Sequence, residues 1–132
     1  MYYIVYVSSA STLFTEAQLK EIVDVSVKNN TRLGITGVML YNDGNFIQVL
    51  EGDEEVVKNR YSIIEADSRH SGILVLNDGH HEERSFPDWS MGFKIIPASE
   101  FSQFDQFKNP KERFDVAKHH PAIALLKSFS RL

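Results

Sequence analysis

Two runs rich in apolar side chains, Ile35 to Tyr41 and Phe46 to Leu50, flank the tetrapeptide Asn42-Asp43-Gly44-Asn45. Asp-Gly supplies the positive φ angles of a tight hairpin turn, so the two runs are predicted to be antiparallel strands. The chain therefore contains a sheet, and the other periodic segments must be placed on it. Alternation along the second strand puts Phe46, Gln48 and Leu50 on one face and Ile47 and Val49 on the other.

Upstream, Tyr2 to Ser8 is rich in β-branched and aromatic residues and reads as a strand that ends in the polar stretch Ser8 to Thr12. Thr15-Glu16-Ala17-Gln18 fits a capping box, with Leu19, Ile22, Val23 and Val27 forming the apolar stripe of a helix expected to end near Asn29-Asn30. After Gly52, Asp53 can cap a second helix, with Glu54 and Glu55 in its first turn and Val56, Val57, Tyr61 and Ile64 on its buried side, ending near Asp67. Two further strands, Gly72 to Asn77 and Trp89 to Ile96, flank a polar connection from Asp78 to Pro87. The order βαββαββ predicts an α+β fold of the ferredoxin-like kind: a mostly antiparallel sheet with two helices on one face. Beyond residue 97 the pattern is looser, with Phe101, Phe104 and Phe107, then Pro110, then a helical set from Ala122 to Phe129.

At 132 residues, with 42% apolar and 24% charged side chains, the chain suits one globular module, too short for a sensor joined to a full catalytic domain. Its net charge of −4 gives no general attraction to nucleic acid or anionic lipid. No apolar run approaches the ~20 residues of a spanning helix and the start lacks secretory features, so a cytoplasmic protein is the expectation. The absence of cysteine excludes disulfides, thiolate metal sites and cysteinyl adducts. His80-His81 and His119-His120 match no metal-ligand spacing and read as solvated loop residues.

Gln48 is set among apolar neighbours, so it is either a buried amide that requires polar partners or a solvent-facing edge residue. Tyr6, in register with Ile4 and Ser8, can face the helix-covered side or serve as an ordinary strand tyrosine. Asn29 and Asn30 suit either a helix terminus or a polar ligand. Trp89 and Met91 stand two apart on a predicted strand and are expected to share a face, as core residues or as part of a site.

In order and spacing this constellation resembles the BLUF family of flavin-based blue-light sensors: Tyr6 in V-Y-V-S-S, Asn30 in N-N-T-R-L-G-I-T-G, Gln48 in G-N-F-I-Q-V-L-E-G, then Asp67, Arg69 and His70 in D-S-R-H, and Trp89 and Met91 in D-W-S-M. The resemblance implies a flavin-binding sensor core over residues 1–97 and a C-terminal helical cap or output segment of the same domain over 98–132. It implies a non-covalently bound flavin, FAD first, with FMN or riboflavin as alternatives. Tyr6, Ile22, Asn29, Asn30, Phe46, Gln48, Ile64, Asp67, Arg69 and His70 are then the flavin-site candidates, and Trp89 and Met91 the signalling pair. By the same resemblance Tyr6 donates an electron and a proton, and the hydrogen bonds of Gln48 rearrange. The output goes to a downstream protein, from a chain that is itself a homo-oligomer, a dimer or larger. No G-x-G-x-x-G or G-x-x-x-x-G-K-[ST] cradle is present, so a phosphate tail is expected to be held loosely or not at all.

Two other readings compete. Asp67 and His70 are close enough in sequence to pair in a small ferredoxin-like enzyme or flavin reductase, although no nucleophile or oxyanion motif accompanies them. Alternatively the aromatic tail of Phe101, Phe104 and Phe107 docks on a neighbouring copy. The sensor reading expects no catalytic turnover.

Overall fold

The computed structural model describes residues 1–108 and 121–130, so Pro110 and His119-His120 lie outside the described residues. In it, the turn at Asp43 and Gly44, with φ of 42° and 90°, joins β2 (Thr36–Asn42) to β3 (Asn45–Gly52). Both central residues have positive φ, as a two-residue hairpin requires. β1 (Tyr2–Ala10) pairs antiparallel with β3 on one side and with β4 (His70–His80) on the other, while β5 (Gly92–Ile95) runs parallel to β2. The sheet order is β4-β1-β3-β2-β5.

Both faces of this sheet are covered, which is why β1 to β3 are almost continuously buried. On one face Tyr2, Ile4, Tyr6, Met39, Tyr41, Phe46 and Leu50 pack beneath α1 (Glu16–Leu33) and α2 (Glu54–Glu65). On the other, Val5, Val7, Val38, Leu40, Ile47 and Val49 meet Phe101, Phe104, Phe107, Ala122, Ile123 and Leu126. These come from α3 (Ala98–Phe101), the 3-10 turn Ser102–Phe107 and α4 (Pro121–Ser130). The three phenylalanines of the tail are thus core residues of this chain, not a free docking strip. Among the described residues no helix is long and apolar enough to cross a membrane.

Local chemistry sets the helix ends. Thr15 accepts from the Gln18 N–H while the Gln18 side chain accepts from the Thr15 N–H, closing the capping box. The expected stop at Asn29-Asn30 is corrected: Thr31, Arg32 and Leu33 continue the helix to Gly34, whose φ of 69° supplies the left-handed terminus. Asn30 is consequently a last-turn residue with its side chain turned inward. Asp53 caps α2 through the Val56 N–H at 3.3 Å.

The connection between β4 and β5 departs most from expectation. The strand predicted from Trp89 begins only at Gly92, and the segment from His81 to Met91 is irregular. It is pinned at one end by Glu51, a fully buried carboxylate near the end of β3. Its Oε1 accepts from the Phe86 N–H at 2.6 Å and the Thr36 hydroxyl at 3.0 Å, and its Oε2 accepts from the Ser85 N–H at 2.8 Å. Arg84 adds bonds to the Thr36 hydroxyl (2.8 Å) and the Gly34 carbonyl (2.7 Å). His81 was expected in a solvated loop, but it is buried: its Nε2 lies 3.3 Å from Glu51 Oε2 and its ring stacks on Tyr3 at 4.8 Å. His80 remains on the surface, paired with Glu54 at 2.7 Å. At the other end of the segment the Gly37 N–H donates to the Trp89 carbonyl at 2.9 Å.

Candidate functional site

A cleft opens between α1, α2 and the sheet face that these helices cover, with about 740 Å³ of free space including its mouth. The β1–β3 register sets Tyr6 directly opposite Gln48 at its centre, and the β2–β3 register sets Met39 opposite the same glutamine. Tyr6 and Gln48 are both buried, and the Tyr6 hydroxyl donates to Gln48 Oε1. Among the described residues the amide nitrogen of Gln48 has only a soft acceptor, the Met91 thioether, at 3.5 Å. A carboxamide flanked by a phenol and a sulfur has one strong bond and one weak one, so its orientation is set by little energy.

The aromatic pair beside it is also protonated at neutral pH. Burial pushes the Tyr6 phenol well above its ordinary value, the nearby Tyr61 adds to the rise, and the Arg60 cation opposes it. Tyr61 packs edge-on against Tyr6, with ring centroids 5.3 Å apart. Its own phenol is pushed up to about 12, first by burial and then by the Glu65 carboxylate 3.3 Å away.

Asn30 closes one end. Its Nδ2 donates to the Ser90 carbonyl at 2.8 Å, and the neighbouring Thr31 hydroxyl donates to Ser90 Oγ at 2.9 Å, so α1 holds the residue that precedes Met91. At the mouth, Arg69 and Asp67 form a forked ion pair, with Nη2 to Oδ2 at 2.6 Å, which holds the Asp67 carboxyl below its usual range. The His70 ring is turned to the Ile64 carbonyl. Asp67 and His70 therefore do not form the catalytic couple that their spacing allowed, because each side chain is engaged elsewhere.

Of the residues singled out from sequence, Tyr6, Ile22, Asn30, Phe46, Gln48, Ile64, Asp67, Arg69 and His70 all line the cleft. Asn29 does not: one step along a helix turns a side chain by about 100°, and Asn29 is half-buried outside the lining. Trp89 and Met91 do not share a face. Met91 belongs to the core beneath α1 and α2, whereas Trp89 packs against the opposite core and stacks on Phe86 at 6.1 Å. Period-two alternation fails there because residues 89–91 are not extended strand.

Ser8, Phe14, Ser26, Met39, Leu50, Arg60 and Ile63 also line the cleft and were not singled out. Several carried a usable signal. Ser8 and Leu50 share strand faces with Tyr6 and Gln48, Ser26 lies one helical turn before Asn30, and Arg60 lies one turn before Ile64.

Comparison with known proteins decides what these features belong to. Residues 1–92 match the profile of the family described as "BLUF: Sensors of blue-light using FAD". The chain belongs to the BLUF family. It is accordingly a flavin-using blue-light sensor with a ferredoxin-like fold. Among curated BLUF-containing relatives, the photoactivated adenylate cyclase subunit beta of Euglena longa is 32% identical over 87 residues, covering 65% of this chain and 10% of that protein. The "Blue light- and temperature-regulated antirepressor BluF" of Escherichia coli (strain K12) is 36% identical over 69 residues, covering 52% of this chain and 17% of that protein. Among solved structures, the dark state of the BLUF protein BlrB superposes with a TM-score of 0.67 at 33% identity, covering 80% of this chain and 78% of that one. The chain thus spans about a tenth of the length of the cyclase relatives.

The donor set of the cleft fits the cofactor of this BLUF chain. Ile22, Phe46, Leu50 and Ile64 offer an apolar slot for a flat ring, and the carboxamides of Asn30 and Gln48 bring both donors and acceptors to it.

Proposed function

We propose that the chain is a non-catalytic photoswitch in which Tyr6, Gln48 and Met91 act in series and a partner protein reads the result. The buried Tyr6–Gln48–Met91 chain of contacts carries this reading, because it joins a redox-competent phenol to an amide of low orientational cost and then to the segment that enters β5. In the cleft, Asn30 is assigned to the polar edge of the ring, Ile22, Phe46 and Ile64 to its walls, and Asp67, Arg69 and His70 to the mouth. A bound flavin would supply a light-generated oxidant.

Tyr6 is the donor of the electron and the proton. Its phenol keeps its proton in the dark, and that proton already points at Gln48 Oε1. Gln48 is the element with two states. A half-turn of its carboxamide replaces the acceptor facing Tyr6 by a donor and leaves Met91 facing oxygen; a change of tautomer would also turn a donor toward Tyr6, with the nitrogen kept at Met91. A thioether cannot donate to oxygen, so the contact at Met91 weakens and the 89–91 segment is biased toward a different packing. Ser90, tied to Asn30 and Thr31, transmits the same event to α1.

Residues 1–97 form the sensor core in this reading and 98–132 the C-terminal helical cap or output segment of the same domain, supported, among the described residues, by the burial of Phe101, Phe104 and Leu126. The reading includes a cytoplasmic setting and assembly into a dimer or larger, for which the exposed Ile95 on the edge strand β5 is the supporting surface. Tyr6→Phe and Gln48→Ala are expected to retain flavin and lose the reversible light-induced shift of its absorption. An unchanged shift in both variants would refute the assignment.

A further inference from the structure

The charges lining the cleft can be balanced group by group. Asp67 and Arg69 close on each other, with contacts of 2.6, 3.0 and 3.1 Å, and His70 faces a backbone carbonyl. Arg60 is different. It lines the same cleft, makes no ion pair with the described residues, and its Nε is buried without a hydrogen-bond partner. It lies three and four positions before Ile63 and Ile64, which also line the cleft, so all three share one face of α2. A guanidinium held partly out of water with an unsatisfied N–H is a group that an anion completes. The chain carries no glycine-rich backbone cradle for phosphate, so a side chain must do that work.

We propose that Arg60 binds the phosphate on the ribityl tail of the flavin and thereby makes the cleft select FMN and FAD over riboflavin. This rests on the flavin reading of the cleft and adds to it the residue that reads the tail. The planar fork of arginine suits two phosphate oxygens at once, and the neutralised Arg69 leaves Arg60 as the uncommitted guanidinium among the described lining residues. The sequence-based expectation of a loosely held tail is revised on this account.

The test is a titration of apoprotein with FAD, FMN and riboflavin separately, followed by flavin fluorescence, in the wild type and in Arg60→Met, Arg60→Lys and Arg69→Met. The wild type should prefer FMN to riboflavin by roughly 10- to 100-fold at low salt, the range of a charge-assisted hydrogen bond. In Arg60→Met that ratio should fall to about 1 through loss of FMN and FAD affinity alone, with riboflavin affinity unchanged as the check that the cleft is intact. Arg60→Lys should keep part of the ratio, and added salt should weaken FMN more than riboflavin. A ratio that survives Arg60→Met, an equal loss for all three flavins, or a ratio that collapses in Arg69→Met instead would each overturn the proposal. A wild-type protein that takes up none of the three flavins would defeat the flavin reading itself.

Discussion

Replacing Glu51 by leucine keeps side-chain bulk near the end of β3 and removes both carboxylate oxygens. Those oxygens accept the N–H groups of Phe86 (2.6 Å) and Ser85 (2.8 Å) and the Thr36 hydroxyl (3.0 Å), and Oε2 also faces His81 Nε2 at 3.3 Å. The hydroxyl can turn toward another acceptor, but the two backbone donors cannot. Each buried donor left unsatisfied costs about 1–3 kcal/mol, so the pair costs about 2–6 kcal/mol. A central figure of about 4 kcal/mol is a large part of the 5–15 kcal/mol that stabilises an ordinary domain. With a urea dependence of about 2 kcal/mol per molar, the unfolding midpoint measured by circular dichroism should drop by about 2 M. Glu51→Gln, which keeps one acceptor oxygen, should fall between the two. A Glu51→Leu midpoint within about 0.3 M of the wild type would show that the carboxylate does not hold the 81–91 segment, and the reasoning from unsatisfied donors would fail.

Gly37→Ala would place a Cβ 1.9 Å from the Val49 carbonyl oxygen, a backbone atom that cannot swing aside, so the variant should be poorly soluble or fully unfolded at temperatures the wild type survives. Burial raises the phenols of Tyr2, Tyr3, Tyr6 and Tyr61, the last to about 12. A phenol that binds its proton more tightly in the folded state contributes its full stability below the unfolded value near ~10 and loses it as the pH rises toward the folded value. The melting temperature should therefore be insensitive to tyrosine ionisation near neutrality and fall steeply above about pH 10, by less in Tyr6→Phe. Asp67 works in the opposite direction: Arg69 lowers its value, so its contribution disappears as the pH falls into the acid range, and the exposure of Arg69 keeps that loss small.

How far the sequence reached depended on whether the deciding interaction was local. Asp43-Gly44 and the Thr15–Gln18 box are local, and both stand as read. The end of α1 was misplaced because Asn29-Asn30 can stop a helix or continue it, while Gly34, the residue that does stop it, lay just beyond. The alternation argument located Gln48 correctly on an extended strand and failed for Trp89 and Met91, where the backbone is not extended. That Tyr6 faces Gln48 follows from the register of β1 against β3, two strands far apart in the chain, and the family resemblance supplied it where periodicity alone could not. The surroundings of Glu51 and Arg60 were hidden for a related reason. One is a charge near a strand end and the other a basic residue on a helix, and only the packed chain shows that neither is simply solvated.

A flavin held beside Tyr6 and Gln48 should respond reversibly to light. The most direct measurement is the absorption spectrum of the flavin-loaded protein in darkness, under blue light and again after a return to darkness. The expected result is a small red shift of the flavin band that reverses fully in the dark, with the flavin oxidised at the beginning and the end. A protein that takes up no flavin, or whose flavin band bleaches without shifting, would contradict it.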